Sequence, residues 1–520
     1  MKIPHRRAAR QLLLCYLICS ASHATSFYVS SSLGNDENSG LKPESAWKSL
    51  DMVSRAHLSP GDTILLARGD TWEEKLDILA SGTSARPIRL LAYGKGDRPL
   101  IKTSNTFSDW ELVVDDGSIK VWGGHVRGVR NSWFATDGDR RLPKYFGYPE
   151  DANDYGAPDS LRDMQSGFFY APLNSGRFYI RSDRGNPGPL EIGARPYGLR
   201  ILNQQNVIVG DLAFAGGGGN NENKSMTGTA HVLIDNSSHI VLQNLSSSNN
   251  NMGVRVINGS TRTTITGLSA YGHRSTAVYF WKAGPHNAIE DCNLSNSGTI
   301  ISDTGDMGFV GVFQSPYTTV RRCTVSTNGH NRAKIIDAAI SFVRSPYGNV
   351  HDNQINDSGG TAIMFAVNSD FGTATNNTID GWCSKSAAIP EKQHCEGIRI
   401  GGGLPGTTAE NISVSFNKII NREPLNGNRA ALKIMDRPTT GFKFYRNEII
   451  SMEGNYLVYA ESASEIASWN FSNNAYHTRG ENTPAYRIGD REFTLSEISD
   501  SDRRIGAGFS LEQKSDFIGE

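Results

Sequence analysis

Acids and bases recur in this chain where a repeated strand pattern would bring them close together. Asp306 and Asp337 stand shortly before consecutive apolar–polar–apolar runs, and Glu396 precedes another run two repeats later. If those runs stack as neighbouring strands, Asp306 and Asp337 come within about 5 Å and Asp337 and Glu396 within about 10 Å. Glycosidic bonds are hydrolysed by carboxylate pairs about 5–5.5 Å apart with retention and about 6.5–9.5 Å apart with inversion. The competing reading is that these acids cap turns or pair with arginine and lysine. A second chemistry needs a base to take the proton α to a uronate carboxyl group, and a cation to stabilise the resulting enolate-like charge. Lys282, Lys433, His330, His273 and Tyr279 are candidates for that work. Tyr279, Arg344, Arg399 and Asp436 are candidate contacts for the sugar, the arginines as planar forks for a carboxylate. Asp303, Asp306 and Asp337 together would offer hard oxygen ligands to Ca²⁺.

The elements that must position these groups are written repeatedly between His231 and His477. Val254-Arg255-Val256, Val278-Tyr279-Phe280, Val310-Gly311-Val312, Ile340-Ser341-Phe342, Ile398-Arg399-Ile400 and Leu432-Lys433-Ile434 are copies of one strand. Outer positions are apolar and the middle one is often polar, which is alternation with one buried and one wet face. Copies recur at roughly 23 to 35 residues, the signature of a solenoid. The outward middle position reads Arg255, Tyr279, Gly311, Ser341, Met364, Arg399, Lys433 and Val458. This strip is basic towards its centre, which favours an anionic ligand; a solvated strand face is the alternative. Four turns, 297–307, 328–337, 383–396 and 421–429, are longer than a plain solenoid needs and fall on one edge, where they would wall a groove. A second strand in the later repeats carries Asn353, Asn377, Asn417 and Asn447 in one slot, with Cys292 and Cys323 in that slot earlier. Stacked asparagines there satisfy inward-facing backbone groups, so this column is structural.

A net charge of −1 over 520 residues argues against a nucleic-acid binder. Lys2, Arg6, Arg7 and Arg10 followed by the apolar stretch 12–19 and Ser22-His23-Ala24 read as an export signal over 1–24. The apolar stretch is too short for a membrane span. The expected location is therefore periplasmic or secreted, where disulfides form. Cys383 and Cys395 bracket one turn and are the expected bridge, while Cys292 and Cys323 either bond or stack in the core.

Residues 25–104 read as an N-terminal cap and first coils, with a short amphipathic helix over 45–53. Residues 105–195, rich in aromatics, read as a β-rich insertion whose rings either fill its own core or stack on sugars. Residues 196–479 are the main coils and 480–520 a C-terminal cap. Gly216-Gly217-Gly218-Gly219 lacks the Lys-Ser/Thr helix start of a phosphate cradle and reads as a turn.

Phe27-Tyr28-Val29-Ser30, Gly34-Asn35-Asp36, Pro60-Gly61-Asp62-Thr63-Ile64 and Ser81-Gly82-Thr83 resemble the opening region of secreted bacterial right-handed parallel β-helix, pectin-lyase-like, carbohydrate-active proteins. The downstream repeats resemble theirs too. The resemblance implies an all-β, right-handed parallel β-helix and a polysaccharide ligand. It covers lyases, glycoside hydrolases and uronate epimerases. It implies either Ca²⁺ or arginine and lysine as the charge-neutralising partner. Gly329-His330 and Arg399-Ile400 match fragments of polygalacturonase motifs, but the Asn-Thr-Asp and Asp-Asp motifs are missing. The leading expectation is an exported lyase that cleaves an acidic polysaccharide by β-elimination. The alternatives are a glycoside hydrolase using paired carboxylates and a non-catalytic carbohydrate-binding protein.

Overall fold

Alternation along each short strand, repeated coil after coil, winds the chain into a right-handed parallel β-helix. The computed structural model describes residues 24–126, most of 128–145, 160–219 except 173, 229–297, 308–326, 338–382, 395–402, 406–421, 429–436, 439–451, 455–478 except 463, 484–494 and 497. Each coil adds one strand to each of three sheets. The front sheet starts at Leu76–Ile78 and runs in parallel through Met252–Ile257, Thr276–Trp281, Ile398–Ile400 and Ala430–Ile434 to Tyr486–Ile488. The second sheet runs from Ser26–Val29 to Asn470–Ser472, and the third from Thr71–Trp72 to Ala475–Thr478. One apolar core runs the length of the solenoid; Val254 and Val256 are fully buried within it while Arg255 between them faces outward. Coils pass very close at some turns. A Cβ on Gly308 would lie 1.6 Å from the Ala338 carbonyl oxygen, so only glycine fits there.

The open ends of the core are covered differently. At the start, the helix Leu50–Arg55 buries Leu50 and Val53 against the first coils, and Trp47 stacks on Phe27 at 5.0 Å. At the far end, Arg491–Phe493 folds back antiparallel on Tyr486–Ile488, and Phe493 packs on the core. The insertion forms a four-stranded and a five-stranded sheet around a separate core that includes Trp110, Phe169 and Phe178. Those aromatics therefore fill the insertion rather than its surface.

The asparagine slot is a continuous interior ladder. Asn353, Asn377 and Asn417 each accept the backbone N–H of the slot before through Oδ1. Asn447 and Asn474 extend the ladder. Each Nδ2 also reaches a carbonyl one coil earlier, as Asn417 does with Ala374 at 2.9 Å. Cys292 and Cys323 occupy the same slot, 4.4 Å apart at Cα, and are bonded. Cys395 is disulfide-bonded as well. Its expected partner, Cys383, lies outside the described residues.

At the corner between the front and second sheets, His286, Tyr317, Tyr347 and Phe371 all take positive φ, a conformation usually left to asparagine and glycine. Their rings stack at 5.1, 4.5 and 4.9 Å, and the attraction between rings offsets the backbone strain.

Two histidines are buried in the core near the insertion. His231 donates Nε2–H to the Gly216 carbonyl at 2.9 Å and meets Ser247 Oγ through Nδ1 at 2.7 Å. His273 donates through Nε2 to the Ser247 carbonyl at 3.1 Å. Burial lowers His231 to about 3, helped by the neighbouring His273, and burial lowers His273 to about 4. Both are neutral when folded and take up protons on unfolding below about 6.5. Their contribution to stability is thus full above that pH and is lost as pH falls towards 4. At pH 5 the loss is about 2 kcal/mol per histidine relative to pH 7. Urea unfolding at the two pH values checks this, and His231→Gln is expected to flatten the dependence.

Candidate functional site

The outer face of the front sheet is the surface on which polar groups converge. Strand register places Leu233, Arg255, Tyr279, Gly311, Ser341, Met364, Arg399, Lys433, Tyr459 and Arg487 in one column. This corrects one expectation. Leu432 pairs with Val458, which is 2% exposed in the core, so Tyr459 and not Val458 faces outward. The strands flanking each of the four long turns belong to the third sheet before it and the front sheet after it. Most of their residues lie outside the described ones. That includes Asp303, Asp306, His330 and Asp337, and with them the expected Ca²⁺ ligands.

At the C-terminal end of the column, Lys433 sits between two glutamates. Its Nζ lies 3.1 Å from Glu461 Oε1 and 3.7 Å from Glu396 Oε1. Glu396 is buried and accepts the Thr361 hydroxyl at 2.7 Å. Glu461 is more open and accepts the backbone N–H of Asp436 at 3.2 Å. Arg399 lies one coil before Lys433 and is 4% exposed, and its Nε has no hydrogen-bond partner among the described residues. Gly402, at φ +86°, leaves room for that guanidinium; a Cβ there would be 2.7 Å from Arg399 Nη2. On the next coil, Tyr459 carries Lys433 Nζ at 5.0 Å and the Arg487 guanidinium at 5.2 Å from its ring centre. Tyr456, whose hydroxyl donates to Glu492 at 2.5 Å, completes the rim.

A second group lies towards the middle of the column. Lys282 Nζ is 4.6 Å and the Arg255 guanidinium 5.6 Å from the Trp281 ring. Tyr279 pairs with Arg255 in register and is 8% exposed. Arg344 lies 5.8 Å from the Phe313 ring. Burial pulls the Arg255 guanidinium below its ordinary value, with Tyr279 and Asp235 opposing. The predicted residues therefore divide. Glu396, Arg399, Lys433 and Asp436 come together, while Tyr279, Lys282 and Arg344 belong to the second group, about 24 Å from Lys433 at ~4.8 Å per coil for Lys282. Between the groups Ala338, Val343, Met364 and Ala366 are buried together, with Ser341 the polar member of the column there. The expected basic centre is thus two clusters of cations seated over aromatic rings.

Sequence reading places Glu461 outward after its strand but gives it no role, and it misses Thr361 and Tyr459 as members of the first group and Trp281 as the hub of the second. It also missed a polar cluster at the N-terminal end of the same face. There Asp77 Oδ1 lies 2.6 Å from Arg200 Nε and 3.1 Å from the Tyr197 hydroxyl. Aligning Leu432-Lys433-Ile434 with Val458-Tyr459-Ala460 rather than Leu457-Val458-Tyr459 would have found Tyr459.

The architecture defines a class, the right-handed parallel β-helix proteins. Residues 230–411 match the family model described as a right handed beta helix region. The chain is 36% identical over 99 residues to the lacto-N-biosidase of Bifidobacterium longum subsp. longum. That stretch is 18% of this chain and spans only 6% of the relative's length. Similar solved structures include XylC in complex with xylose, at 10% identity and TM-score 0.44, over 90% of this chain and 73% of that one. Another is an alginate lyase from Paenibacillus sp., at 12% identity and TM-score 0.39, over 89% of this chain and 99% of that one.

Proposed function

We propose that the protein is an exported enzyme that cleaves glycosidic bonds in an acidic polysaccharide laid along the outer face of the front sheet, with its reaction centre at Glu396, Arg399, Lys433 and Glu461. The observation that carries this reading is the Glu396–Lys433–Glu461 chain, two carboxylates held on either side of one ammonium. The short stretch shared with a lacto-N-biosidase supports a carbohydrate target. Cations over Trp281, Phe313 and Tyr459 support an anionic one.

Of the two chemistries, hydrolysis fits these residues better. Lys433 Nζ is engaged by a carboxylate on each side, a position that suits bridging the two acids rather than abstracting a sugar proton. Two carboxylates sharing a cation suit acid–base work on a glycosidic oxygen. Glu461, the more open, meets the substrate, and Glu396 with Thr361 supplies the fixed second carboxylate. Elimination keeps one specific support. Tyr459 lies beneath two cations on the same face, and Arg399 Nε, unpartnered among the described residues, could meet a uronate carboxylate.

Product analysis on a panel of acidic and neutral polysaccharides tests the reading. New reducing ends without ultraviolet absorbance establish hydrolysis. An unsaturated uronate absorbance establishes elimination, and neither product on any polymer overturns the enzyme reading. Salt gives an independent check. Raising NaCl from about 50 to about 500 mM is expected to raise KM severalfold on the acidic substrate, because screening weakens its hold on the exposed cations. A KM unmoved by salt would remove the argument for an anionic substrate.

A further inference from the structure

Hydrogen-bonding capacity is left unspent along one line of this face. Among the described residues, Arg255 Nε, Ser341 Oγ and Arg399 Nε are buried without hydrogen-bond partners. All belong to the same register column. A buried donor without a partner is costly, so finding such atoms in one line marks where a ligand supplies the missing partners. At the Arg255 end there is a second imbalance. Arg255 and Lys282 both lean on the Trp281 ring, and neither has a carboxylate within ion-pair distance among the described residues. Two like charges sharing one ring repel each other, and an anion between them relieves this. The indole itself offers a flat apolar face to a sugar ring.

We propose that Arg255, Trp281 and Lys282 form a distal binding position for a negatively charged sugar unit, remote from the reaction centre, so that the protein measures the length of its substrate. This rests on the reading of the front face as the substrate-binding face. From the Trp281 coil to the Lys433 coil there are about five steps, roughly 24 Å, so a chain of about five sugar units bridges the two positions. Ser341 lies between them and offers its hydroxyl to the bridging units. Shorter oligomers engage the reaction centre alone, and binding energy from the remote position is gained only by longer ones.

The test uses the full chain with size-graded oligogalacturonate and oligoalginate from trimer to decamer, and neutral xylo-oligomers as controls. Binding is followed by calorimetry and by quenching of tryptophan fluorescence. The expected result is at least a tenfold rise in affinity between trimer and heptamer of an acidic series. Trp281→Ala, and separately Arg255→Gln with Lys282→Gln, flatten that rise and leave trimer affinity unchanged. The glutamine variant guards against a folding defect in the alanine one. Acidic oligomers that bind equally at all lengths overturn the distal position alone. Variants that weaken every length equally, or leave the rise intact, do the same. If acidic oligomers of no length bind, or neutral ones bind as well, the front-face reading for an acidic polysaccharide fails first and takes this inference with it.

Discussion

Glutamine in place of Glu461 will lower kcat by about a thousandfold while leaving the fold intact, and Glu396→Gln will do likewise. Both changes keep side-chain volume and remove one negative charge beside Lys433. Glu461 is partly open, so its substitution has little structural cost. Glu396 is buried, but its amide can still accept the Thr361 hydroxyl that lies 2.7 Å from the carboxylate. The two variants also separate the chemistries. Hydrolysis needs both carboxylates, so activity collapses in each. Elimination through Tyr459 needs neither as a proton carrier, so Tyr459→Phe would then be the variant that loses activity. Initial rates on the identified polymer, with thermal melting to confirm folding, give the result. Glutamine variants that keep more than a tenth of wild-type kcat would sink the two-carboxylate reading.

Asn417→Ala will destabilise the protein by about 4 kcal/mol, the largest effect expected from any substitution away from the front face. Asn417 Oδ1 accepts both the backbone N–H and the Nδ2 of Asn377. Its own Nδ2 donates to Ala374, Ser415 and Asn447. Alanine leaves buried donors and acceptors on two adjacent coils without their protein partner. The shift in urea midpoint, with the slope checked for loss of cooperativity, measures it. A loss below about 1 kcal/mol would show that the ladder decorates the core rather than holding it.

Much of this fold could be read before any coordinates, because a solenoid makes each coil depend only on its neighbours. Alternation in Val254-Arg255-Val256 and its copies is enough to set inside from outside. The repeated slot of Asn353, Asn377 and Asn417 is enough to predict a ladder. The failures have physical causes. Leu457 and Val458 are both apolar, so alternation cannot choose between them, and a slip of one residue hid Tyr459. Arg255, Lys282 and Arg344 looked like a continuous basic strip because sequence gives charge but not the ring each side chain rests on. Glu461 reads in the position after the strand with Lys282, Arg344 and Asp436, so its outward place was legible, but its pairing with Lys433 was not. Cys292 and Cys323 fell in one slot, yet spacing alone could not tell a bond from a stack.

The asparagine ladder also limits how this protein can change in size. Each rung is keyed to the one before it, so the chain tolerates gain or loss of a whole coil but not of part of one. Single-residue insertions in the turns are absorbed at the edge, whereas a change inside a coil breaks the key. The distance between Trp281 and Lys433 is therefore quantised in steps of ~4.8 Å. One step is close to the length of one sugar unit. Deleting or duplicating a coil between them would leave both ends chemically unchanged and shift the preferred oligomer by about one sugar. The fold behaves here as a ruler whose graduations are built into its interior.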